Sequence, residues 1–424
     1  MSCKSGESNY KRLGDFIKRV SIKNENNKID LLLGINIDKF FMPSVANTVG
    51  TDLSRYKVVS KNQFACNRMH VGRDKRLPIS LSQEDYNFLV SPAYDVFEIK
   101  NLNELLPEYL MMWFRREEFD RRCWFHTDAD VRGKLDWEAL IDFQLPIPSI
   151  QEQKAIVDEY STVVNRIKLN EQLNQKLEET AQALYKHWFV DFEFPNDEGK
   201  PYKSSGGKMV YCEELEKEIP EGWDVGNIES ICDLIDGDRG KNYPSQEDFS
   251  NSGHCLFLNA GNVTKSGFNF STTSFITKTK DELLRKGKLV RKDIVLTTRG
   301  TVGNIAYFSD EIEYSELRIN SGMILIRAKN LAHTLYIYSW MRSDEMKQHI
   351  VNYMSGSAQP QLPIKDIKKI PVLIPENLLI SKFSNININI QKNIDLKLKE
   401  NRILLKQLEL QLSQMTQSTK VTSA

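Results

Sequence analysis

The chain has 424 residues, of which 27% are charged and 40% hydrophobic, and 57 Lys and Arg residues balance 57 Asp and Glu residues. This composition is typical of a globular protein with two or three domains, and the zero formal net charge gives no overall signature of nucleic-acid binding. No apolar run approaches the roughly 18 residues of a transmembrane helix, and the first residues lack the apolar core of a signal peptide, so we expect a cytoplasmic protein without membrane contact.

Residues 1–150 are predicted to form an α+β domain. Short runs of β-branched and aromatic residues alternate with Gly and Asn turns, and an amphipathic helix surrounds Trp113. The loop that ends VSKNQFACNRMHVG (residues 59–72) and continues beyond it carries side chains that can contact phosphates or read base edges. The candidate DNA contacts are Asn67, Arg68, His70, Arg73 and Lys75. The alternative for each single residue is an ordinary surface turn with a solvated charge.

A long helix is predicted over residues 151–192. Ser149 and Glu152 form an S-x-x-E capping box, and neither proline nor glycine occurs between residues 152 and 189. Side chains at alternating steps of four and three residues form a seam that is apolar except at its centre. This seam consists of Ile156, Tyr160, Val163, Ile167, Asn170, Asn174, Leu177, Ala181, Leu184 and Trp188. Such spacing predicts a coiled coil, and the alternative is an amphipathic helix lying on its own domain.

Residues 193–222 are interpreted as a linker. The stretch PNDEGK (residues 195–200) faintly resembles the metal cluster of a nuclease, but it lies in a polar, glycine-bearing segment without a strand around it. A solvated linker is therefore the favoured interpretation.

Residues 223–375 repeat the first domain. Residues 59–72 align with VRKDIVLTTRGTVG at a shift of 231, while Trp113 and Trp340, as well as LDWEALIDFQLPIP and LPIKDIKKIPVLIP, are 227 residues apart. An ordered series of matches at a nearly constant shift indicates a tandem duplication. In the second copy, the loop after the strand carries Thr298, Arg299, Thr301 and Asn304, which are candidate DNA contacts at positions that match the first loop.

A second long helix is predicted over residues 376–417, followed by a tail of residues 418–424. Shifting the first seam by 227 gives Phe383, Asn387, Ile390, Ile394, Lys397, Asn401, Leu404, Leu408, Gln411 and Met415. Two copies of one unit pack most simply about a two-fold axis, so we expect an antiparallel pair of helices with the two domains at opposite ends. The expected partners are Ile167 with Leu404, Val163 with Leu408, Leu177 with Ile394, and Asn170 with Asn401. The asparagine pair would penalise slipped registers.

The motifs of common enzymes are missing from the sequence. GDRGKN (residues 237–242) and SGGKM lack the spacing of a phosphate-binding loop, RGTVG lacks G-x-G-x-x-G, and no NPPY-like tetrapeptide of an amino-methyltransferase occurs. The six cysteines and six histidines form no CxxC, HxxxH or HExxH pair, so we predict no metal site and no disulfide framework. A chain with two domains, two helices and no catalytic motif points to binding.

The centre of the chain resembles a known family. Residues 179–225, ETAQALYKHWFVDFEFPNDEGKPYKSSGGKMVYCEELEKEIPEGWDV, closely resemble the central conserved region of the specificity subunits of type I restriction-modification systems. LPIPSIQEQKAIV is similar to the usual opening of the spacer helix in that family. The resemblance implies an α+β protein with two target-recognition domains and two spacer helices.

The function that the resemblance implies is that of a non-catalytic reader of double-stranded DNA in a bacterium or archaeon. Each domain would recognise one half of a bipartite target, and the helices would set the gap. Two methylation subunits would dock on the helices, and two restriction subunits would complete the complex. S-adenosylmethionine, ATP and Mg²⁺ would belong to these partners and no cofactor to this chain. Tyr185, Trp188 and Phe189 are candidate partner contacts, with packing inside the chain as the alternative.

The sequence departs from the family pattern in its second spacer, ENLLISKFSNININIQKN, which lacks the EQ of the first spacer. The two recognition loops also differ, CNRMHVG against TTRGTVG, so the target is expected to be asymmetric. Two other classes of protein remain as alternatives. One is a coiled-coil adaptor with two protein-binding domains, and the other is a fused methyltransferase-nuclease, which the absence of NPPY disfavours.

Overall fold

The computed structural model describes residues 10–25, 27–44, 51–127, 133–356 and 360–415. The chain folds into two compact units, Met1–Lys168 with Arg402–Ala424 and Leu169–Asn401. The division falls inside two long helices, so each helix contributes one part to each unit. In the part of the chain that the structure describes, no helix has the length and apolarity that crossing a bilayer requires.

The first unit combines short strands with four short helices and parts of the two long ones. Its strands are β1 (Tyr10–Arg12), β2 (Ile17–Val20), β3 (Leu33–Ile35), β4 (Phe41–Pro43), β5 (Lys57–Val59), β6 (Gln63–Cys66), β7 (Ile79–Leu81), β8 (Phe88–Val90), β9 (Asp95–Ile99) and β10 (Gln144–Pro146). Its short helices are α1 (Val71–Asp74), α2 (Pro107–Phe114), α3 (Glu117–Phe125) and α4 (Trp137–Ile141). The first long helix is α5 (Ile150–Tyr185), which a π-helical turn, Lys186–Val190, extends.

The core of the first unit forms around an antiparallel sheet of order β2-β9-β6-β7. The central strands alternate side chains between two faces, so that Phe64 and Phe97 stack at 5.0 Å beneath α2 while Ala65 and Val96 lie in a second cluster. Phe114 of α2 packs edge-on against Phe64 at 5.6 Å. Strands β1 and β10 pair antiparallel and join the beginning of the domain to its end.

The second unit repeats this arrangement. Its strands are β11 (Met209–Cys212), β12 (Lys217–Pro220), β13 (Asp224–Asn227), β14 (Cys232–Asp236), β15 (Cys255–Leu258), β16 (Val263–Thr264), β17 (Gly267–Phe268), β18 (Phe275–Ile276), β19 (Ile294–Thr297), β20 (Ile305–Tyr307), β21 (Leu317–Ile319), β22 (Met323–Ala328) and β23 (Pro371–Ile374). Its helices are α6 (Ile228–Ile231), α7 (Lys278–Leu283), α8 (Thr334–Met341), α9 (Asp344–Tyr353), α10 (Ile364–Ile367) and α11 (Asn377–Gln414).

The predicted duplication is confirmed. The second unit has an antiparallel sheet of order β14-β22-β19-β20, which matches the first sheet strand for strand. Strands β6 and β19 begin at residues 63 and 294, the predicted 231 apart, and helices α2 and α8 begin at 107 and 334, the predicted 227 apart. Strands β13 and β23 close the second domain as β1 and β10 close the first. The fold is α+β and twofold repeated.

The long helices pair antiparallel along the predicted seam. The capping box begins α5, where the Glu152 amide donates to the Ser149 hydroxyl and the Ser149 amide to the Glu152 carboxylate. In the second unit, the Asn170 amide donates to the Asn401 carbonyl oxygen at 2.8 Å, and Asn174 approaches the Ile394 carbonyl at 3.4 Å. Because the partners descend along α11 as they ascend along α5, the helices are antiparallel.

Every predicted seam position is buried or half-buried, and Val163, Asn170, Ile394, Asn401 and Leu408 are the most enclosed of those proposed as packing partners. The helices also pack on the domains. In the first unit, Ile156, Val157 and Tyr160 of α5 and Leu412 of α11 contact the domain core. The two interpretations of the helices, coiled coil and domain-bound amphipathic helix, therefore both apply.

Residues 193–222 are more structured than a solvated linker. Strands β11 and β12 form an antiparallel hairpin, and the ring of Phe194 stacks on Trp223 at 5.1 Å. Phe194 and Ile219 belong to the core of the second unit. The polar residues that suggested a linker occupy the turns between these anchors, so the segment packs as part of the second unit.

Candidate nucleic-acid interface

The first recognition loop leaves strand β6 and continues through the short helix α1. Gly72 is required there because its amide donates to the Gly133 carbonyl at 2.8 Å, and a Cβ on Gly72 would lie 2.5 Å from the Gly133 Cα. The loop is held at its far end by Asp120, whose carboxylate accepts from the Leu77 amide at 3.0 Å and from the Lys39 ammonium at 2.8 Å. These contacts therefore hold the backbone of the first loop in place at both of its ends.

Arg68 is not available as a DNA contact, which corrects the prediction for this residue. Only 8% of Arg68 is exposed, and its Nε donates to the Asp95 carboxylate at 2.5 Å. Its Nη1 donates to the Leu135 carbonyl, and the guanidinium lies over the Trp137 ring. All these partners belong to the first unit, so Arg68 fixes the base of the loop.

The remaining candidates of the first loop lie nearer the surface. Asn67 is half-buried and its side chain accepts from the Met69 amide, while His70 is half-buried beside it. Arg73 is exposed and pairs with the neighbouring Asp74 at 2.7 Å. Lys75 is exposed, has a left-handed backbone (φ 55°), and its ammonium lies 4.9 Å from the centre of the Trp124 ring. Arg73 and Lys75 are thus accessible cations of this loop.

The second recognition loop leaves strand β19 and presents Arg299, Gly300 and Thr301 to the surface. Gly300 adopts φ 75° and Gly303 φ 92°, which permits the tight return to β20. No ion pair of Arg299 occurs among the residues that the structure describes, so its guanidinium is free to bind an anion or a base edge. Arg299 and Thr301 remain candidate contacts.

Thr298 is buried inside the domain, which corrects its predicted role, whereas Asn304 is half-buried, lines a cleft beside the second loop and stays a candidate contact. Thr298 is 5% exposed, and its backbone carbonyl accepts from the Leu362 amide. The Asn304 side chain donates to the Val263 carbonyl at 2.9 Å and thereby ties the second loop to the strand β16. Both residues shape the loop that displays Arg299.

One difference between the surroundings of Arg68 and Arg299 lies in the strand next to the loop. Each arginine lies two residues beyond the end of an equivalent strand. In the first sheet Cys66 pairs with Asp95, whereas in the second sheet the equivalent Thr297 pairs with Met323. A carboxylate therefore captures Arg68, and a buried methionine leaves Arg299 without a counter-charge.

Two clefts flank the second loop. An open cleft of about 620 Å³ is lined on one side by the backbone of Gly300 and Thr301 and on the other by Lys265, and none of its described lining residues is acidic. A second cleft of about 240 Å³ lies on the other side of Arg299 and contains Arg239. The Arg239 guanidinium is already hydrogen-bonded here, because its Nη2 donates to the Asp236 carboxylate at 3.1 Å. This surface brings together the cations Lys265, Arg239 and Arg299, with Asp236 as an acidic neighbour in the second cleft.

Lys265 and Arg239 were missed by the sequence reasoning. Arg239 lies in GDRGKN, which lacks the spacing of a phosphate-binding loop, and Lys265 lies in NVTK (residues 262–265), which resembles NIDK (residues 36–39) of the first domain, where the equivalent Lys39 is buried. The exposed aromatic end of α3, Trp124 and Phe125, was also missed; Phe125 is 83% exposed. The position of Phe125 at the end of a helix rich in charged residues is the sequence feature that could have indicated its exposure.

The three aromatic residues predicted to bind a partner are buried in the second unit, which corrects that prediction. Tyr185, Trp188 and Phe189 are 4%, 7% and 2% exposed. The Phe189 ring contacts the rings of Tyr336 at 4.8 Å and Phe383 at 4.9 Å. Burial raises the pKa of the Tyr185 hydroxyl well above its usual value. These side chains attach the end of α5 to the second domain.

One group of potential metal ligands occurs in the described residues. Single ligand atoms of His254, Asp281 and Glu316 lie within 4.8 Å of one another. The Asp281 carboxylate already accepts from Arg318 at 2.8 Å and from Lys288 at 2.5 Å, and Lys288 also contacts Glu316 at 2.6 Å. Because two cations neutralise these carboxylates, the group fits an ion-pair network better than a metal site.

Comparison with known proteins gives a consistent result. Residues 80–179 and 220–403 match the family described as the type I restriction modification DNA specificity domain. The chain is 26% identical over 287 residues to the specificity subunit of the type I restriction enzyme MjaIX of Methanocaldococcus jannaschii, covering 66% of this chain. It is 28% identical over 190 residues to the HindI specificity subunit of Haemophilus influenzae, covering 43% of this chain. The aligned parts span 62% and 40% of these two relatives.

A solved structure supports the fold. The S subunit of the type I restriction-modification system from M. genitalium superposes with a TM-score of 0.54 over 98% of each chain, at 14% sequence identity. The similarity concerns the fold, because the sequences share few residues.

Proposed function

The chain belongs to the family of type I restriction-modification DNA specificity proteins, and from this premise we propose that it is the non-catalytic DNA-reading subunit of such a system. Each unit recognises one half of a bipartite, asymmetric target on double-stranded DNA. The first unit uses Arg73 and Lys75, and the second uses Arg299, Thr301 and the clefts beside them.

The observation that carries the proposal is a duplicated frame with different loops. Two sheets of the same strand order each send a loop from the equivalent strand, β6 or β19. The first loop presents Arg73, which is paired with Asp74, and Lys75, which lies over the Trp124 ring. The second loop presents Arg299, which is exposed next to Gly300 and has no ion pair among the described residues. A shared frame with different surface chemistry is what an asymmetric target requires, because side chains at base edges determine the sequence that is read.

The helix pair serves as the spacer and as the docking surface for methylation subunits. Leu169 and Leu173 of α5 lie one turn apart outside the seam, and 54% and 42% of these side chains are exposed. Apolar residues exposed at this spacing suit contact with a helix of another protein. They replace the buried Tyr185, Trp188 and Phe189 as the proposed partner contacts.

Catalysis belongs to the partners in this proposal. Two methylation subunits would bring S-adenosylmethionine, and two restriction subunits would use ATP and Mg²⁺. The complex would act on cytoplasmic DNA of a bacterium or archaeon.

The proposal is tested by expressing the chain with its methylation partner and sequencing the host DNA for methylated adenine by a single-molecule method. A bipartite motif with a fixed gap is expected. Unmodified DNA, together with no retention of DNA in gel shifts of the purified complex, would contradict the proposal and leave the adaptor function. Omitting this chain while keeping the methylation partner is the control and should abolish the motif.

A further inference from the structure

Arg342 connects a spacer helix to the DNA-facing surface of the second unit. It follows α8, and its Nε lies 2.9 Å from the Glu178 carboxylate on α5. Its Nη2 donates to the Lys265 carbonyl at 3.1 Å, and its Nη1 donates to the Tyr338 hydroxyl. One largely buried guanidinium, with 14% of its side chain exposed, thus contacts a helix and a loop at once.

The loop that Arg342 holds belongs to the candidate interface. Lys265 follows strand β16 and lines the 620 Å³ cleft opposite Gly300 and Thr301. The same strand is tied to the second recognition loop through Asn304, which donates to Val263. A displacement of the Lys265 carbonyl would therefore change the width of the cleft and the position of the Lys265 side chain.

The first unit has the equivalent arginine without the connection. Arg115 follows α2 as Arg342 follows α8, 227 residues later, but Arg115 is exposed and lines a cavity of about 310 Å³ with Met111 and Tyr160. The residue equivalent to Glu178 is Leu405, which cannot pair with a guanidinium. No ion pair of Arg115 occurs in the described part of the chain. Among the described residues, a connection from a spacer helix through this arginine to the loop therefore occurs in the second unit alone.

We infer that Arg342 is a positioning residue through which α5 sets the shape of the DNA cleft in the second unit, so that reading of the second half-site depends on the spacer helix and reading of the first does not. The inference rests on the proposed function for its consequence in DNA recognition. Glu178 acts by fixing the arginine, and the fork of the guanidinium allows both contacts at the same time.

Two substitutions test the connection, each with a matched control. Glu178→Gln weakens the charge-assisted bond, and Arg342→Lys keeps the positive charge but removes the fork. The controls are Glu171→Gln, an exposed acid on the same helix, and Arg115→Ala, the equivalent arginine. The complex with the methylation partner is titrated with the wild-type target and with targets altered in one half.

Both test variants should lower discrimination at the second half-site by about tenfold, the effect expected from losing one charge-assisted hydrogen bond. Discrimination at the first half-site and the behaviour of both controls should stay unchanged. A purely structural role would lower thermal stability or the active fraction without changing the ratio between targets. Equal losses at both half-sites, or no loss, would overturn the inference.

Hydrogen exchange of the free protein separates this inference from the proposed function, since it needs no DNA. The segment of residues 260–270 should exchange faster in Glu178→Gln and Arg342→Lys than in the wild type, and it should be unchanged in the two controls. Unchanged exchange in the test variants would refute the connection even if the protein reads DNA. Faster exchange in a protein that discriminates no DNA sequence would instead leave the connection standing and remove the proposed function.

Discussion

At the scale of single residues, the surroundings of a guanidinium determine whether it stabilises the fold or remains available to a ligand. Arg68 is enclosed and paired with Asp95, whereas Arg299 is exposed beside Met323. Both arginines follow equivalent strands, and the residue that pairs with the end of each strand, Asp95 or Met323, is one source of the difference. The two predictions that follow separate these roles experimentally.

Arg299→Ala should weaken binding of the cognate target by about tenfold or more, because a bidentate arginine contact to a base contributes about 1–3 kcal/mol. The measurement is a titration of labelled DNA with the complex at fixed salt. Lys278→Ala, which removes one charge from the same unit where Lys278 pairs with Glu282, is the control. Equal losses in the two variants would show that Arg299 contributes only general charge.

Arg68→Ala should instead lower the free energy of unfolding of the first unit by roughly 1–3 kcal/mol, because the half-buried Asp95 carboxylate loses this partner and keeps its ion pair with the exposed Arg19. Urea unfolding followed by tryptophan fluorescence measures the change. Arg73→Ala, at an exposed position, should change stability by less than about 0.5 kcal/mol. A normal stability for Arg68→Ala would mean that the pair with Asp95 is not important for the fold.

At the scale of the elements, the two long helices carry buried polar groups that a purely apolar seam would lack. Asn170 and Asn401 bond to each other in the seam, and Asp395 of α11 is 9% exposed with one carboxylate oxygen unpaired among the described residues. The asparagine pair favours one register of the two helices, whereas the buried Asp395 carboxylate lowers the free energy of unfolding at neutral pH.

Asn170→Leu should destabilise the second unit by roughly 1–3 kcal/mol, because Asn401 loses its buried partner. Replacing both asparagines by leucine should recover this loss or exceed the wild-type stability, at the expense of a unique register. A double-mutant cycle of unfolding free energies measures the coupling. Strictly additive effects of the two substitutions would exclude a direct interaction.

Asp395→Asn should stabilise the second unit at pH 7 by about 2–3 kcal/mol. Burial raises the pKa of Asp395 to about 6, above its ordinary 3.8. The side chains of Ser309 and Gln391 lower this pKa by smaller amounts, and the nearby Glu311 raises it slightly. The folded protein therefore holds the proton more tightly than the unfolded chain. The wild type consequently loses stability as pH rises from about 4 to about 6.

The gain from Asp395→Asn should disappear below about pH 4, where Asp395 is protonated in both states. Urea unfolding at a series of pH values measures this dependence. Glu171→Gln, at an exposed position of α5, is the control and should give no such profile. A gain that is the same at pH 4 and pH 7 would exclude the ionisation of Asp395 as its cause.

At the scale of the whole molecule, the proposed function predicts that the two units read their half-sites independently, because one frame is used twice with different loops. Exchanging residues 1–150 for the equivalent domain of another specificity subunit should change one half of the methylation motif and leave the other half and the gap intact. Sequencing of methylated adenine in the host checks this outcome. A change in both halves would mean that the two units do not read separately.

Much of the architecture could be predicted from the chain because it rests on periodic signals. The repeat shifts of 231 and 227 residues, the heptad seam and the Ser149–Glu152 capping box depend on local order along the sequence, and all are confirmed. The spacing of buried residues in a helix follows from 3.6 residues per turn, so it is visible without a structure.

The exposure and pairing of individual site residues depend on contacts between distant parts of the chain. Arg68 and Arg299 align at the repeat shift of 231, and tertiary contacts such as the strand partner, Asp95 or Met323, distinguish them. Tyr185, Trp188 and Phe189 resemble an exposed aromatic patch until Tyr336 and Phe383 cover them. Exposure and pairing arise from tertiary neighbours that no local spacing encodes. The sequence therefore established the repeated frame and the helix pair, and folding selected the side chains that stay free to bind.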